Sequence, residues 1–417
     1  MRDRVIALIF ASSIVSGCAY GSSGNGVVPG QTTFAPAGSS TGYTVTVLPS
    51  LGGTNSAANT INGRGLPMGT SFLSGNTIMH AALWQDGDVV DLNTLGGPNS
   101  AVEWPVLNDR GYISGISETA KNDPLGESTS WSCHAFLPDG GSSGKTCLGF
   151  VWHNGKTRPL GTLGGNNGYA AGMNQGGEIA GWAETKMHDS TCVAPQVLQF
   201  MPAVWDARER KARALPTLKH NGMRDPDGAA TAVNKGGDVV GISGICDQAV
   251  GRYTARYAVL WKHGRPIQLK TIGGHSWNTP TAINDEGQIV GFLNRPGSKD
   301  RHGQIDWDSV IWTDPYAAPT KIGVLPGDQI SEPTSVNDHG VVLGVSFPSS
   351  HVYIWQNGIM ADLTKAVLQA YPQLEPVSVG GINDRGEIAG QACQLVSGVC
   401  PSSGATLVTF LAVPNNR

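Results

Sequence analysis

Charge is scarce in this chain. Only 14% of its 417 residues are Asp, Glu, Lys or Arg, and 28 basic residues stand against 32 acidic ones. That balance excludes the strongly basic signature of a nucleic-acid binder. No segment sustains a helical period, which leaves an essentially all-β chain. Phosphate loops, His-Glu-x-x-His pairs and dinucleotide fingerprints do not occur, and Cys and His do not cluster at metal-ligand spacing. No cofactor, metal or nucleic-acid partner is therefore expected. Long apolar runs are missing too, since the stretch at residues 5–15 is too short for a membrane span.

That short run has a context. Arg2 and Arg4 precede it, and Val15-Ser16-Gly17-Cys18 follows, the layout of a secretory signal. The small residues before Cys18 resemble a bacterial lipobox. The resemblance implies cleavage at Cys18, its lipidation, and a membrane as partner through that anchor. Ala19 implies sorting to the outer membrane or cell surface. Residues 19–42 are rich in Gly, Ser, Pro and Thr without an apolar period, and read as a flexible tether. The folded domain is then expected at residues 43–417, as a monomer.

One phrase recurs through that domain: an apolar segment, Asn, two variable residues, Gly, and a second apolar segment ending in Gly. Its asparagines are Asn62, Asn108, Asn174, Asn234, Asn284, Asn337 and Asn383, at spacings of 46, 66, 60, 50, 53 and 46 residues by subtraction. Such a period marks one supersecondary unit used repeatedly. Asn and Gly supply turn chemistry between two short strands. A third strand ends in Trp84, Trp152, Trp205, Trp261, Trp312 or Trp355, with Phe410 in the seventh copy. A Gly turn leads into a fourth strand. Four antiparallel strands per unit is the mark of a propeller blade, and seven copies predict a seven-bladed β-propeller. The chain starts with a fourth strand near Tyr43 and ends with a third near Phe410. Pairing these two closes the ring and removes an exposed sheet edge.

His80-Ala81, His134-Ala135-Phe136-Leu137, the Leu-Gly-Thr-Leu-Gly-Gly at 160–165 and the Ile-Asn-Asp-x-Gly at 283–287 and 382–386 are similar to the HAF-type extracellular repeat of bacteria. The resemblance covers nearly all of the mature chain. Units four and six depart from it, with Leu218-Lys219-His220 and Leu325-Pro326-Gly327-Asp328 in place of the Leu-Gly-Gly end. It implies export and a repetitive fold, and confers no common activity.

Six cysteines follow Cys18, an even number that favours disulfides in an exported chain. Cys133 and Cys147 share one loop, as do Cys393 and Cys400. Cys192 and Cys246 lie at similar places in neighbouring units and could join adjacent blades. In an up-and-down blade, the second-to-third and blade-to-blade connections share a face. All six cysteines and the long insertions fall on that face, and only short turns are expected opposite. Function tends to live in long loops on a rigid scaffold.

Repetition separates structural residues from site candidates. His80, His134 and His351 each open a third strand, so a shared hydrogen-bonding role is expected. The tryptophans are expected to pack within blades. Non-repeating residues near the first strands are the candidate ligand contacts: Glu103, Trp104, Tyr169, Asp225, His275, Trp277, Asp328 and Glu332, with Arg224, Asp227 and Glu375 nearby. Carboxylates beside aromatic faces suit sugars or cationic groups. Asp225-Pro226-Asp227-Gly228 lacks a full calcium-ligand series and reads as a turn. The expected function is a lipid-tethered envelope propeller that binds a protein or glycan through its long-loop face, without catalysis. An extracellular polysaccharide hydrolase or lyase and a structural surface component are the alternatives.

Overall fold

A computed structural model describes residues 42–129, 133, 137, 143–247, 251–298 and 306–415. Cys18, the expected signal segment, the expected tether up to residue 41 and His134 lie outside the described residues. Among the described residues, strand pairing gives five separate four-stranded antiparallel sheets, an eight-stranded sheet that divides into two such units at the single parallel pair Asn55–Leu407, and a two-stranded hairpin at Lys219–His220 and Met223–Arg224. Blade 1 is Gly52–Ile61, Pro67–Leu73, Met79–Gln85 and Asp88–Asp91; blade 2 is Gly96–Ala101, Ile113–Asn122, Lys145–His153 and Lys156–Pro159. Blade 3 is Gly164–Met173, Glu178–His188, Leu198–Asp206 and Arg213–Ala214; blade 4 is Asp227–Val233, Val239–Gly244, Tyr257–Lys262 and Arg265–Gln268. Blade 5 is Thr279–Ile283, Ile289–Asn294, Trp307–Trp312 and Thr320–Lys321; blade 6 is Ile330–Val336, Val342–Phe347, His351–Gln356 and Ile359–Asp362. Blade 7 takes three strands from the C-terminal end, Leu374–Ile382, Ile388–Gln394 and Leu407–Pro414, and its fourth from the other end, Tyr43–Val47. Tyr43 pairs with Pro414 and Val47 with Phe410.

The recurring asparagine explains both the hairpin and the ring. Within each blade its Oδ1 accepts the backbone N–H four residues on, as from Leu66 to Asn62 and Gln288 to Asn284. Its Nδ2 donates to the backbone carbonyl of the next blade's asparagine. The chain of bonds runs Asn62 to Asn108, Asn174, Asn234, Asn284, Asn337, Asn383 and back to Asn62, at 2.8–3.1 Å. All seven side chains are buried. Only an amide on a short arm offers one donor and one acceptor here.

The glycine that ends the second apolar segment has a different cause. A Cβ at Gly69, Gly115, Gly181, Gly241, Gly291, Gly344 or Gly390 would meet a first-strand carbonyl oxygen at under 3.0 Å. First strands carry a register shift just before the asparagine, as between Ala230 and Ala232 or Pro280 and Ala282. Such a bulge frees one residue from the ladder. The freed Thr231 and Thr281 donate to Pro280 O and Pro333 O in the following blade.

Several expectations change here. Four tryptophans tie blades together as well as packing: the indole N–H of Trp84, Trp205, Trp261 and Trp312 donates to Pro49 O, Gly161 O, Pro216 O and Lys270 O. These carbonyls lead in from the preceding blade's fourth strand. The third strand of blade 2 is Lys145–His153, so residue 134 does not open it. His80 and His351 do share a role, each placing Nδ1 2.9 Å from Asp91 or Asp362. A helix, Leu363–Ala370, joins blades 6 and 7, with the Asp362 carboxylate accepting the Lys365 N–H at its start. It buries Leu363 and Val367, an i,i+4 pair too short to read as a period. On the face expected to carry only short turns, blade 3 holds a longer one between Asp206 and Arg213.

Candidate functional site

The inner strand of blade 2 breaks the repeat. In six blades the carbonyl facing the second-strand glycine lies five residues before the asparagine, as Ala57 before Asn62 and Tyr169 before Asn174. In blade 2 it is Ala101, seven residues before Asn108. Two residues are therefore inserted, and the strand stops at Ala101 while 102–105 bend between neighbouring inner strands. Asn59 Nδ2 of blade 1 donates to Val102 O and to Glu103 Oε2. On the other side Met173 N of blade 3 donates to Pro105 O. Tyr169 is fully buried, and burial first, then the Glu103 charge, pushes its phenol well above the usual range. Glu103, Asn59 and Tyr169 thus meet from three consecutive blades, and Trp104 packs on the cluster that holds Tyr169, Trp182 and Phe200.

The remaining candidates are placed separately. Asp225 accepts from Ser243 Oγ at 2.6 Å and lies 3.6 Å from His220 Nε2, fastening the hairpin ahead of blade 4. Asp328 accepts from Ser349 N and Oγ, which fixes a blade 6 loop. His275 is exposed. Trp277 is 5% exposed and its N–H backbone donates to Arg252 O. Tyr169 is 2% exposed, so neither ring offers a free face for a sugar. Glu332 is 6% exposed, its Oε2 has no hydrogen-bond partner, and burial holds its carboxyl well above the usual range. Of the eight, Glu103, Trp104 and Tyr169 come together.

A buried carboxylate network among blades 2 to 4 was not anticipated. Asn99 and Asn167 accept the Met79 and Cys147 N–H of the preceding blade, and their amides donate to Glu118 and Glu184. The repeated Glu118-Thr119 and Glu184-Thr185 were the available signal. Glu184 is pushed up to about 7, by burial first and then by Glu127. Asn167, Asn166 and Gln196 donors saturate it, and it is 0% exposed. A carboxyl titrating near neutrality suits acid–base chemistry, but this one is walled off within blade 3, where it holds the Asn167 that accepts the blade 2 Cys147 N–H. No group of three or more His, Cys, Asp or Glu among the described residues could hold a metal.

Three disulfides stand on the long-loop face: Cys133–Cys147, Cys192–Cys246 between blades 3 and 4, and Cys393–Cys400. They fit an oxidising, extracellular setting. No helix among the described residues is long and apolar enough to cross a membrane.

No protein-family model matches this chain, and no curated protein does. Solved structures do resemble it. Virginiamycin B lyase from Staphylococcus aureus is 9% identical with a TM-score of 0.47, covering 89% of this chain and 99% of that one. The Myceliophteria thermophila Cps50 (Swd1) β-propeller domain is 12% identical with a TM-score of 0.45, over 89% and 99%. Polysaccharide lyase Uly1 is 7% identical with a TM-score of 0.46, over 93% and 94%. At such identities likeness extends to fold alone, and fold does not carry function; the chain is a β-propeller by its own strand pairing.

Proposed function

We propose that this chain is an exported, lipid-tethered propeller of the cell envelope that binds a protein or glycan through its long-loop face, without chemistry of its own. The observation that carries this reading is the position of the disulfides. All three pin the connections between second and third strands, and loops fixed before binding lose less entropy on contact. The commitment of Asp225, Asp328 and Glu184 to bonds that hold loops or strands supports binding over catalysis. Glu103, Trp104, Asp225, His275 and Asp328 are the candidate contacts that keep some exposure.

The test has two parts. A chain beginning at residue 19 keeps every described residue and is screened on a glycan array and by crosslinking on intact cells. Retention of one glycan class, or one crosslinked envelope protein, weakened by replacing Trp104 and His275 with Ala, is the expected result. Turnover of a polysaccharide by the same chain would replace the binding reading with the enzymatic one. In cell fractionation Cys18→Ser should move the full chain out of the membrane fraction; continued membrane association would remove the lipid anchor from the proposal.

A further inference from the structure

The longer turn of blade 3 builds a cleft on the face away from the disulfides. Ala207 N donates to Gly177 O and Gly161 N to Arg210 O, both at 2.9 Å. Gly161 follows the last strand of blade 2, so the turn leans across the boundary between blades 2 and 3. Opposite it, Asn154 and Gly155 turn blade 2 from its third strand to its fourth. Between the two lies a cleft of about 360 Å³.

Its floor is apolar and buried, from Val151 and Ala207. One wall is a stacked pair: the Tyr112 and His153 rings lie 3.9 Å apart and 6° from parallel. The Arg208 guanidinium approaches the Tyr112 hydroxyl. The rim carries Lys156, Arg158 and Arg208, all exposed, with the Asn154 amide beside them. No carboxylate lines the cleft. The nearby Asp206 turns its Oδ1 to the Arg208 and Glu209 backbone N–H groups. On a chain of formal net charge −4, three exposed cations line this one concavity, with the Asp206 charge acting on Arg208 from beside it.

We propose that this cleft binds an acidic saccharide, a sugar ring carrying a carboxylate, one or two units long. Arginine pairs with carboxylates in a planar fork, and Lys adds a point charge. The volume is at the small end of organic-ligand sites and far larger than a bare inorganic anion needs. An aromatic wall and an amide suit the ring and its hydroxyls. This site is separate from the long-loop face, and either proposal can fail without the other.

Isothermal titration of the full chain in detergent tests it, with digalacturonate as probe and cellobiose and inorganic phosphate as comparisons. At about 20 mM salt digalacturonate should saturate one site, and raising salt to about 200 mM should weaken it several-fold. Arg158→Ala with Arg208→Ala should cost about tenfold or more in affinity. Both side chains are exposed, so the melting temperature should hold, and the Arg158→Lys, Arg208→Lys pair should bind at an intermediate strength. Cellobiose and phosphate should each bind about tenfold more weakly than digalacturonate. Absence of digalacturonate binding, or an unchanged affinity in the Ala pair, would overturn the site. Equal binding of cellobiose would overturn its charge requirement, and equal binding of phosphate would overturn the saccharide.

Discussion

Asp227 stands where blades 2 and 3 use asparagine. Its Oδ1 accepts the Phe200 N–H of the preceding blade at 2.8 Å, as Asn99 accepts from Met79 and Asn167 from Cys147. The asparagines then donate through their amides. Asp227 has no such donor, and its Oδ2 and the Asp189 Oδ2 have no other hydrogen-bond partner than each other, through a shared proton. That proton is the missing donor. Burial first, then the Asp189 hydrogen bond, push Asp227 up to about 9, while Asp189 is held low as the acceptor. The native state thus keeps a proton that the unfolded chain releases near its ordinary value of 3.8. Stability from Asp227 is full below that value and is lost progressively up to about 9. Asp227→Asn supplies a permanent donor. It should stabilise the protein at pH 7 by an amount on the order of a few kcal/mol. Chemical denaturation from pH 5 to 9 checks this, and an equally steep decline with pH in the variant would refute the shared proton.

Among the elements, the second strand carries the most specific requirement. Gly291 packs against Thr279 O and Pro280 Cα, whereas Gly264 has open space around it and a φ of +72°. Gly291→Ala should cost about 3 kcal/mol or more through forced backbone movement, and Gly264→Ala about 1 kcal/mol through the left-handed region alone. Urea denaturation of the two variants measures the difference, and equal losses would contradict the close contact. Gly291 and the asparagine were visible in every copy of the repeat, because a forbidden side chain and a turn each impose one residue type, whereas the Gly264 turn recurs only as Gly87, Gly155 and Gly358. The inner-strand bulge was not visible, since small residues such as Ala229-Ala230-Thr231-Ala232 show no alternation to fix the register. The inserted Glu103 and Trp104 were singled out as non-repeating, but their meeting with Asn59 and Tyr169 depends on that hidden register. Burial of Tyr169 and Trp277 was equally hidden, because an aromatic beside a loop reads the same exposed or packed. The cleft between blades 2 and 3 went unread because the Arg-Glu-Arg-Lys segment at 208–211 reads as an ordinary solvated turn.

At the scale of the molecule, the ring is held by two kinds of bond. The ring closes inside blade 7 without a covalent link, through Tyr43–Val47 on Leu407–Pro414, and the Asn383 to Asn62 hydrogen bond adds a tie from blade 7 to blade 1. Among the described residues the one disulfide joining two blades is Cys192–Cys246, with a sequence separation of 54, while Cys393–Cys400 spans 7 within one loop. Cross-linking restricts the unfolded chain more as the enclosed loop lengthens, by about 4 kcal/mol for the longer link and about 2.5 kcal/mol for the shorter. Replacing Cys192 and Cys246 by Ala should therefore destabilise the protein more than replacing Cys393 and Cys400. The Cys192–Cys246 variant should also loosen the boundary where Asp227 contacts Asp189, since Asp189 lies in the same loop as Cys192 and the Asp189 N–H and carbonyl hold that loop's backbone. Its stability should consequently lose part of the pH slope assigned to Asp227. Urea unfolding of both alanine pairs at pH 6 and pH 8 tests the two claims together. A larger loss from the Cys393–Cys400 pair would reject loop entropy as the cause, and an unchanged slope in the Cys192–Cys246 pair would show that the carboxyl contact stands without its disulfide.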